Sequence, residues 1–360
     1  MAPSYASAVP VARLTLHRST VLLAAIGLAL AALTAHSGAH ARLDLPERLT
    51  DAEFWALSQD SSEPGGYFRA ADITNLTSNE LRFLDVIPDL VSRVKPGGVY
   101  LGVGPEQNYT YIAAIKPRMA VIFDIRRGNL DLQLMYKAMF ELSKDRADFV
   151  SMLFAKPRPS GLSPASTANE IFSAFASSET SRTLYEKNLT AIKDFLTKTR
   201  KLPVPARDLD GLETVYQLFY TSGYYLRPSP SYWDLMTATD GAGVMRSYLA
   251  TEANFAVLKD LQSRNLVVPV VGNFGGPKAI RAIAQYLKSR GATVAAFYLS
   301  NVEQYLQQDG LWPTFCQNVA TMPLDGASTF IRSQSGGGGG RGGGFVNYLG
   351  AMAAETRTCR

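Results

Sequence analysis

The residue pattern with the clearest chemical meaning is a pair of glycines followed by an acid. Gly102 and Gly104 end one apolar run, and Asp124 ends the next one, twenty residues beyond Gly104. Glycines let the backbone approach a ligand at the start of a helix. A carboxylate at the end of the neighbouring strand can accept hydrogen bonds from two ribose hydroxyls. The spacing therefore predicts a site for a nucleoside-type ligand.

A parallel sheet is the element that would position these residues. Apolar runs that alternate with helical segments predict parallel strands, because each parallel connection requires a crossover. The predicted strands span 99–104, 119–124, 266–272, 292–299, 317–322 and 328–332, and helices over 108–115 and 277–290 separate two pairs of them. We therefore predict an α/β fold with a mostly parallel, doubly wound sheet.

Further elements complete the predicted layout. Thr77 and Glu80 form a capping-box pattern that predicts a helix through Val94, kinked or divided by Pro88. The predicted domains are the first part of a Rossmann-like domain over 42–129, a helical insertion over 130–265, the second part over 266–334 and a glycine-rich flexible tail over 335–360.

The two glycines and the acid resemble a known pattern. The sequence is similar to the class I S-adenosylmethionine-dependent methyltransferases, which have a Rossmann-type fold, over 76–127 and more loosely over 265–303. The resemblance implies that Gly102 and Gly104 face the cofactor and that Asp124 holds its ribose.

Other positions match this family in part. Asn273 lies where many members carry an N/D-P-P-aromatic motif, whereas Tyr100 replaces the acid that usually precedes the first glycine. No third glycine follows in the loop. Residues 100–138 also resemble a group of uncharacterised bacterial proteins of the same type.

The charges near the loop bear on the cofactor. Glu106 stands in place of a third glycine, where it would crowd and repel the pyrophosphate of a dinucleotide. S-adenosylmethionine has no phosphate and carries a positive sulfonium, so the loop favours it, and Glu106 is a candidate cofactor contact. Arg126 and Arg127 beside Asp124 suit a 2′-phosphate, which leaves an NADP-type oxidoreductase as an alternative.

The amino-terminal segment predicts export. Arg13 and Arg18 precede the apolar run 21–35, and Ala39-His40-Ala41 gives an A-x-A cleavage site after Ala41. Residues 1–41 are therefore a predicted signal peptide, and the folded part is expected in the periplasm or outside the cell. Membrane contact is expected only through this segment, if it stays uncut.

Removal of this segment would also remove all three histidines, His17, His36 and His40. A histidine-based triad, a histidine-ligated metal and an imidazole base are then excluded. We expect no metal, and the candidate catalytic residues are Glu303, Asp72 and Glu80. Cys316 and Cys359 form either one disulfide or two unrelated thiols.

The net charge does not indicate a polyanion partner. The whole chain carries 36 basic and 31 acidic residues, a formal charge of +5. Without Arg13 and Arg18 the difference falls to +3 over the remaining chain, which is typical of a soluble surface. We therefore expect a small-molecule or nucleoside-type ligand and no nucleic acid.

The aromatic residues between 216 and 233 fall into two groups. The spacing of Tyr216, Phe219 and Tyr220 is helical and predicts core packing. Four others lie among glycine and proline and are candidates for a ligand-facing surface, namely Tyr224, Tyr225, Tyr232 and Trp233.

These observations lead to one main functional prediction. We expect an exported methyltransferase-like protein with a nucleoside-type crevice, without evidence of catalysis from the sequence. Exported compartments are not expected to hold S-adenosylmethionine, so a non-catalytic exported binding protein on the same scaffold is the second hypothesis.

Overall fold

The computed structural model describes residues 44–66, 75–227, 229–335 and 345–359. The predicted signal peptide and Asp72 lie outside these residues. The described residues from Asp44 onward belong to one compact unit. Within them, no helix is both long enough and apolar enough to cross a membrane.

A mostly parallel sheet of six strands forms the centre of this unit. The strand order is β3-β2-β1-β4-β5-β6, in which β1 to β5 run parallel and β6 pairs antiparallel with β5. The strands are β1 (Val99–Val103), β2 (Met119–Asp124), β3 (Val267–Val271), β4 (Val294–Ser300), β5 (Thr329–Ser335) and β6 (Phe345–Ala351). The prediction of an α/β fold with a mostly parallel sheet is confirmed.

The chain reverses direction across the sheet between β1 and β4. From β1 it moves outward to β2 and β3, and it later returns to β4 on the other side of β1. Since parallel crossovers are right-handed, connections that run in opposite directions place their helices on opposite faces. The position between β1 and β4 is therefore the switch point, next to which ligands bind in such sheets.

The strand sequences explain their place in the sheet. β1, β2 and β3 are short apolar segments whose residues are almost all buried, as expected for strands covered on both faces. Pro269 lies within β3 opposite Ile122. Proline cannot donate to a second neighbour, and β3 needs none because it is an edge strand.

Fourteen α-helices surround the sheet in the described residues. They are α1 (Asp51–Ser61), α2 (Ile87–Arg93), α3 (Gln107–Ile115), α4 (Arg127–Leu142), α5 (Arg146–Phe154), α6 (Ala168–Ala176), α7 (Arg182–Asp194), α8 (Ala206–Ser222), α9 (Tyr232–Thr237), α10 (Glu252–Ser263), α11 (Ala279–Ser289), α12 (Val302–Gln308), α13 (Trp312–Ala320) and α14 (Met352–Glu355). A π-helical turn follows α7, and 3-10 turns follow α8 and α14.

The predicted helical insertion over 130–265 contains α5 to α10 and most of α4, and no strand within its described residues. The described residues of this region also contain an isolated antiparallel β-bridge between Thr239 and Met245. Helix α4 packs against β2 and β3, and α10 packs against α3 and α4. Helix α4, the first helix of this region, therefore covers part of the sheet and belongs to the same layer structure as the strands it packs against.

Two predicted elements are wrong. The helix from Thr77 through Val94 begins only at Ile87, with Pro88 in its first turn, where a missing backbone donor is tolerated. Glu80 does not cap it, because its carboxylate is turned into the core. The strand over 317–322 falls largely within α13, whereas the strand predicted over 328–332 is confirmed as the start of β5.

The carboxyl-terminal residues correct another prediction. A flexible tail over 335–360 is wrong for residues 345–359, which form β6, α14 and a 3-10 turn. The glycine-rich residues 336–344 lie outside the described part of the chain. Cys359 pairs with Cys316 of α13, with their Cα atoms 5.3 Å apart, so the disulfide alternative is the one observed.

Candidate functional site

A cavity of about 420 Å³ lies at the carboxyl ends of the central strands, next to the switch point. This volume is within the range of small-molecule sites. Its wall includes residues from the ends of four strands, namely Gly104 after β1, Asp124 of β2, Asn273 after β3, and Tyr298 and Ser300 of β4. The cavity is the candidate site because parallel strands direct these ends to one edge.

The turn after β1 brings bare backbone to the cavity. Gly104 has a φ of +81°, which favours glycine, and a side chain there would meet no atom within 4 Å. Asn108 of α3 fixes the turn from beneath, since its Nδ2 donates to the carbonyls of Val103 at 3.0 Å and Pro105 at 2.7 Å. The turn is therefore open to the cavity and held in one shape.

The first glycine of the pair has a different function. A side chain at Gly102 would overlap the Asn108 carboxamide oxygen, which accepts a hydrogen bond from Tyr100 Oη at 2.9 Å. Gly102 is not among the cavity-lining residues. The expectation that Gly102 faces a cofactor is wrong, because its missing side chain makes room for Asn108.

Asp124 lines the cavity but is already bound to a cation. Arg126 Nη2 donates to Asp124 Oδ2 at 2.7 Å, and Arg126 Nε donates to Oδ1 at 3.0 Å. Both side chains are more than nine-tenths buried. This bidentate pair uses the acceptor capacity that a ribose would need. A ribose can engage Asp124 fully only if the guanidinium of Arg126 moves.

The other arginine of the predicted phosphate pair points elsewhere. Arg127 donates through Nε and Nη2 to the two carboxylate oxygens of Asp208, each at 2.6 Å. Arg127 lines a separate cavity together with Asp131. The sequence argument for a 2′-phosphate beside Asp124 loses its support, because both Arg126 and Arg127 are paired with carboxylates.

A third arginine reaches the cavity from far along the chain. Arg227 lies in the cavity wall, where its Nε donates to the Thr77 carbonyl at 3.2 Å and its Nη2 to Asn75 Oδ1 at 3.4 Å. Both of these acceptors are neutral. Burial lowers the pKa of Arg227, and the nearby Glu106 offsets part of this. Arg227 is thus a cationic group suited to an anionic part of a ligand.

Glu106 lies beneath the cavity rather than in its wall. Its side chain is fully buried, and Oε1 accepts a hydrogen bond from the Ser78 backbone N–H at 3.0 Å. Its Oε2 has no hydrogen-bond partner within the described residues. Burial raises the pKa of Glu106 to about 7. The expectation that Glu106 contacts a cofactor is wrong, because α3 turns the side chain inward.

Of the two candidate catalytic acids within the described residues, Glu80 accepts more hydrogen bonds than Glu303. Its Oε1 accepts from Tyr298 Oη at 2.9 Å and Ser300 Oγ at 2.5 Å. Its Oε2 accepts from Gln107 Nε2 at 3.0 Å and Asn347 Nδ2 at 2.9 Å. Glu80 is 1% exposed. The structure therefore joins this carboxylate to the cavity through two hydroxyl groups.

The remaining predicted residues divide between the cavity and the surrounding structure. Asn273 lines the cavity, and its Oδ1 accepts from the Gly275 backbone N–H at 2.9 Å. Glu303 is not part of the cavity wall, because its Oε2 accepts from Arg332 Nε at 2.7 Å on the side of β5.

The aromatic segment packs mainly into the core. Tyr216 and Phe219 are fully buried, as predicted. Tyr224 and Tyr232 are also buried, and their rings contact Phe154, so their expected ligand-facing role is wrong. Tyr225 remains 66% exposed, but it is absent from the cavity wall.

Sequence reasoning missed two features of this site. The sequence does not mark Arg227 as a site residue, because it lies in an aromatic loop more than one hundred residues from the predicted turn. Tyr298 lies within the predicted strand 292–299, where the sequence does not mark it as a site residue, but its hydroxyl contacts Glu80. The signal that could have found Tyr298 is its position two residues before the end of β4, on the same face as Ser300.

The fold and the cavity define an α/β protein with a candidate ligand site at the switch point of its sheet. The chain belongs to the family described as Domain of unknown function (DUF7790), whose model matches residues 75–349. The matched range includes β1 to β5, most of β6 and every strand end that lines the cavity. No curated protein matches the chain.

Proposed function

We propose that this protein is an exported, methyltransferase-like protein that binds a nucleoside-type ligand with an anionic end, with S-adenosylmethionine as the leading ligand. The observation that carries the proposal is that Gly104, Asp124 and Asn273, from three different strand ends, line one cavity of about 420 Å³. Export rests on residues 1–41, whose sequence pattern predicts a signal peptide.

Two features of the cavity favour this ligand class, and one feature disfavours it. Gly104 leaves space for a ligand to approach the backbone, and Arg227 offers a cation for the carboxylate of an amino-acid end. Asp124 suits a ribose only after Arg126 has moved. S-adenosylmethionine would supply an activated methyl group, and no residue of this chain is assigned to the transfer.

Binding without catalysis is the second candidate function. The Asp124–Arg126 pair favours it, since a buried bidentate ion pair at this position holds the site in a form unlike an open ribose site. On this hypothesis the ligand contacts Gly104, Arg227 and Asn273 and leaves the ion pair intact. An NADP-type site has less support, because Arg126 and Arg127 are each paired with a carboxylate.

Calorimetric titration of the full-length protein tests the proposal. S-adenosylmethionine and its demethylated product are expected to bind, with NADP as the competing ligand. Arg227→Gln should weaken binding by about tenfold or more, because a hydrogen bond to a charged group is lost. Arg207→Gln is the matched control, since that side chain is 70% exposed and lies outside the cavity wall.

The outcomes separate the candidates. No heat at near-millimolar ligand, in protein that still unfolds cooperatively, would contradict the nucleoside proposal. Binding that is unchanged in Asp124→Asn means that the ligand makes no essential contact with Asp124, as expected for binding without catalysis, whereas lost affinity favours a ribose contact. Mass spectrometry for the demethylated product then distinguishes transfer from binding alone.

A further inference from the structure

Ser300 occupies an unusual position in the fold. It is the last residue of β4, and α12 begins two residues later at Val302. Its φ of +52° lies in the left-handed region, which is unfavourable for a residue with a side chain. Such backbone strain, held at a turn from strand to helix, is typical of functional sites. Ser300 also lies in the wall of the cavity.

The hydroxyl of Ser300 has a proton acceptor in direct contact. Ser300 Oγ donates to Glu80 Oε1 at 2.5 Å, and Glu80 is held in place by Gln107 and Asn347 on its other oxygen. The carboxylate is thus aimed at the serine by residues of α3 and β6. An activated nucleophile requires this arrangement of hydroxyl, base and orienting groups.

Tyr298 adds a second hydroxyl to the same carboxylate oxygen. Its Oη donates to Glu80 Oε1 at 2.9 Å, and Tyr298 also lines the cavity. Burial raises the pKa of Tyr298 well above its usual value, and the charge of Glu80 adds to this. Tyr298 therefore remains protonated, so its hydroxyl orients Glu80 as a hydrogen-bond donor and does not compete with Ser300 as a nucleophile.

We propose that Ser300 is a nucleophile for acyl transfer, with Glu80 as its general base. In this step Ser300 Oγ forms a bond to the carbonyl carbon of an ester or thioester, and its proton passes to Glu80 Oε1. The bond between the carbonyl carbon and the leaving group breaks, and the leaving group takes the proton from Glu80. Water then attacks the acyl carbon and gives one proton to Glu80. Glu80 passes that proton to Ser300 Oγ as the bond between Oγ and the acyl carbon breaks, which releases the free acid and restores both residues.

The surroundings of Glu80 favour a carbonyl over a phosphoryl substrate. The hydrogen-bond donors to Glu80 in the described residues are neutral, so no cation in contact with this carboxylate offsets its repulsion of an anionic phosphoryl group placed at Ser300, although Arg227 lies elsewhere in the cavity wall. A neutral carbonyl has no such penalty. Asn79 and Asn301 line the same cavity, and on this proposal their side-chain amides would donate to a developing oxyanion.

Covalent labelling with an alkyl fluorophosphonate tests this proposal in the full-length protein. Ser300 Oγ would displace fluoride from phosphorus, and mass spectrometry should place the label on the peptide that contains Ser300. Ser300→Gly should abolish the label and still fold, because glycine accepts a positive φ. Glu80→Gln should slow labelling by about a hundredfold or more, as expected for loss of a general base.

Matched variants and substrates complete the test. Lys201→Gly, at an exposed position whose φ is also positive, should label at the wild-type rate. A stoichiometric burst of nitrophenolate from p-nitrophenyl acetate, and no release from p-nitrophenyl phosphate, is expected. Absence of label in folded wild-type protein, label on another serine, or an unchanged rate in Glu80→Gln would each overturn the proposal. The proposal for Ser300 does not rest on a nucleoside ligand, since none of these three reagents contains a nucleoside.

Discussion

Asp124 lines the cavity and Glu80 is joined to it through two hydroxyl groups, and the protein stabilises these two carboxylates in different ways. Asp124, at the end of β2, is bound by the guanidinium of Arg126 through both of its oxygens. Glu80, beneath the end of β4, is bound by four neutral donors, two of which are hydroxyls in contact with the cavity. Asp124 thus has a cation as its fixed partner, whereas the donors that orient Glu80 in the described residues are neutral.

The comparison of the two carboxylates indicates different roles for the β2 side and the β4 side of the cavity. The β2 side resembles a ribose site in sequence, but its acid is paired with an arginine. The β4 side gave a weaker signal in the sequence, yet it holds a serine in a left-handed conformation next to a carboxylate. The β2 side, which has the stronger sequence pattern, is suited to ligand binding. The β4 side, whose sequence pattern is weaker, is suited to proton transfer.

The largest expected effect is on stability when the ion pair is broken. Arg126→Met leaves Asp124 buried without a cation and should lower the free energy of unfolding by about 3 to 5 kcal/mol. Asp124→Asn combined with Arg126→Met removes both charges and should recover most of that loss. Urea unfolding at neutral pH measures the three free energies. A loss below about 1 kcal/mol in Arg126→Met would show that Asp124 does not depend on the cation.

Glu106 sharpens the comparison, because it has neither a paired cation nor a full set of donors. Its pKa of about 7 in the folded protein lies above the usual value, so the folded state binds the proton more tightly than the unfolded state. The stability from this group is complete below about pH 4.5 and is lost as the pH rises through 7.

Glu106→Gln removes this pH dependence. At pH 8.5 the variant should exceed the wild type in stability by about 2 to 3 kcal/mol, whereas near pH 4 the two should agree. Urea unfolding at both pH values provides the measurement, and Glu179→Gln is the exposed control. Equal stability of variant and wild type at pH 8.5 would mean that the carboxyl ionises without difficulty in the folded protein.

The smallest expected change in stability is for Glu80→Gln. The hydroxyls of Tyr298 and Ser300 can accept as well as donate, so an amide at position 80 can be satisfied by turning its NH2 group toward them. The free energy of unfolding should fall by about 1 kcal/mol. Thermal unfolding followed by circular dichroism tests this, with Tyr298→Phe as the variant that deletes one donor. A loss above about 3 kcal/mol would show that the network requires the charge.

Much of the fold could be predicted from apolar runs, because a buried strand needs a short run of apolar residues bounded by turns. Five of the six predicted strands were correct, and 317–322 failed because Phe315 and Val319 belong to the buried face of α13. β6 was missed because it follows a glycine-rich segment and alternates exposed and buried residues, with Val346 exposed and Asn347 buried.

The candidate site was predicted less completely than the fold. The strand ends Gly104, Asp124 and Asn273 could be found, since the carboxyl ends of parallel strands meet at one edge. Gly102 and Glu106 could not be separated from them, because the sequence does not show whether a loop residue faces solvent or the core. Glu303 failed for the same reason, since its partner Arg332 is on another strand.

The sequence by itself determined the alternation of strands and helices, the parallel sheet and the edge at which a ligand site must lie. These follow from local periodicity, which each segment carries in its own residues. Only the tertiary structure decided that Arg126 binds Asp124, that Arg227 reaches the cavity and that Glu80 contacts Ser300, 220 residues away. Hydrogen bonds and ion pairs depend on the direction and distance of single atoms, which only packing of the whole chain fixes.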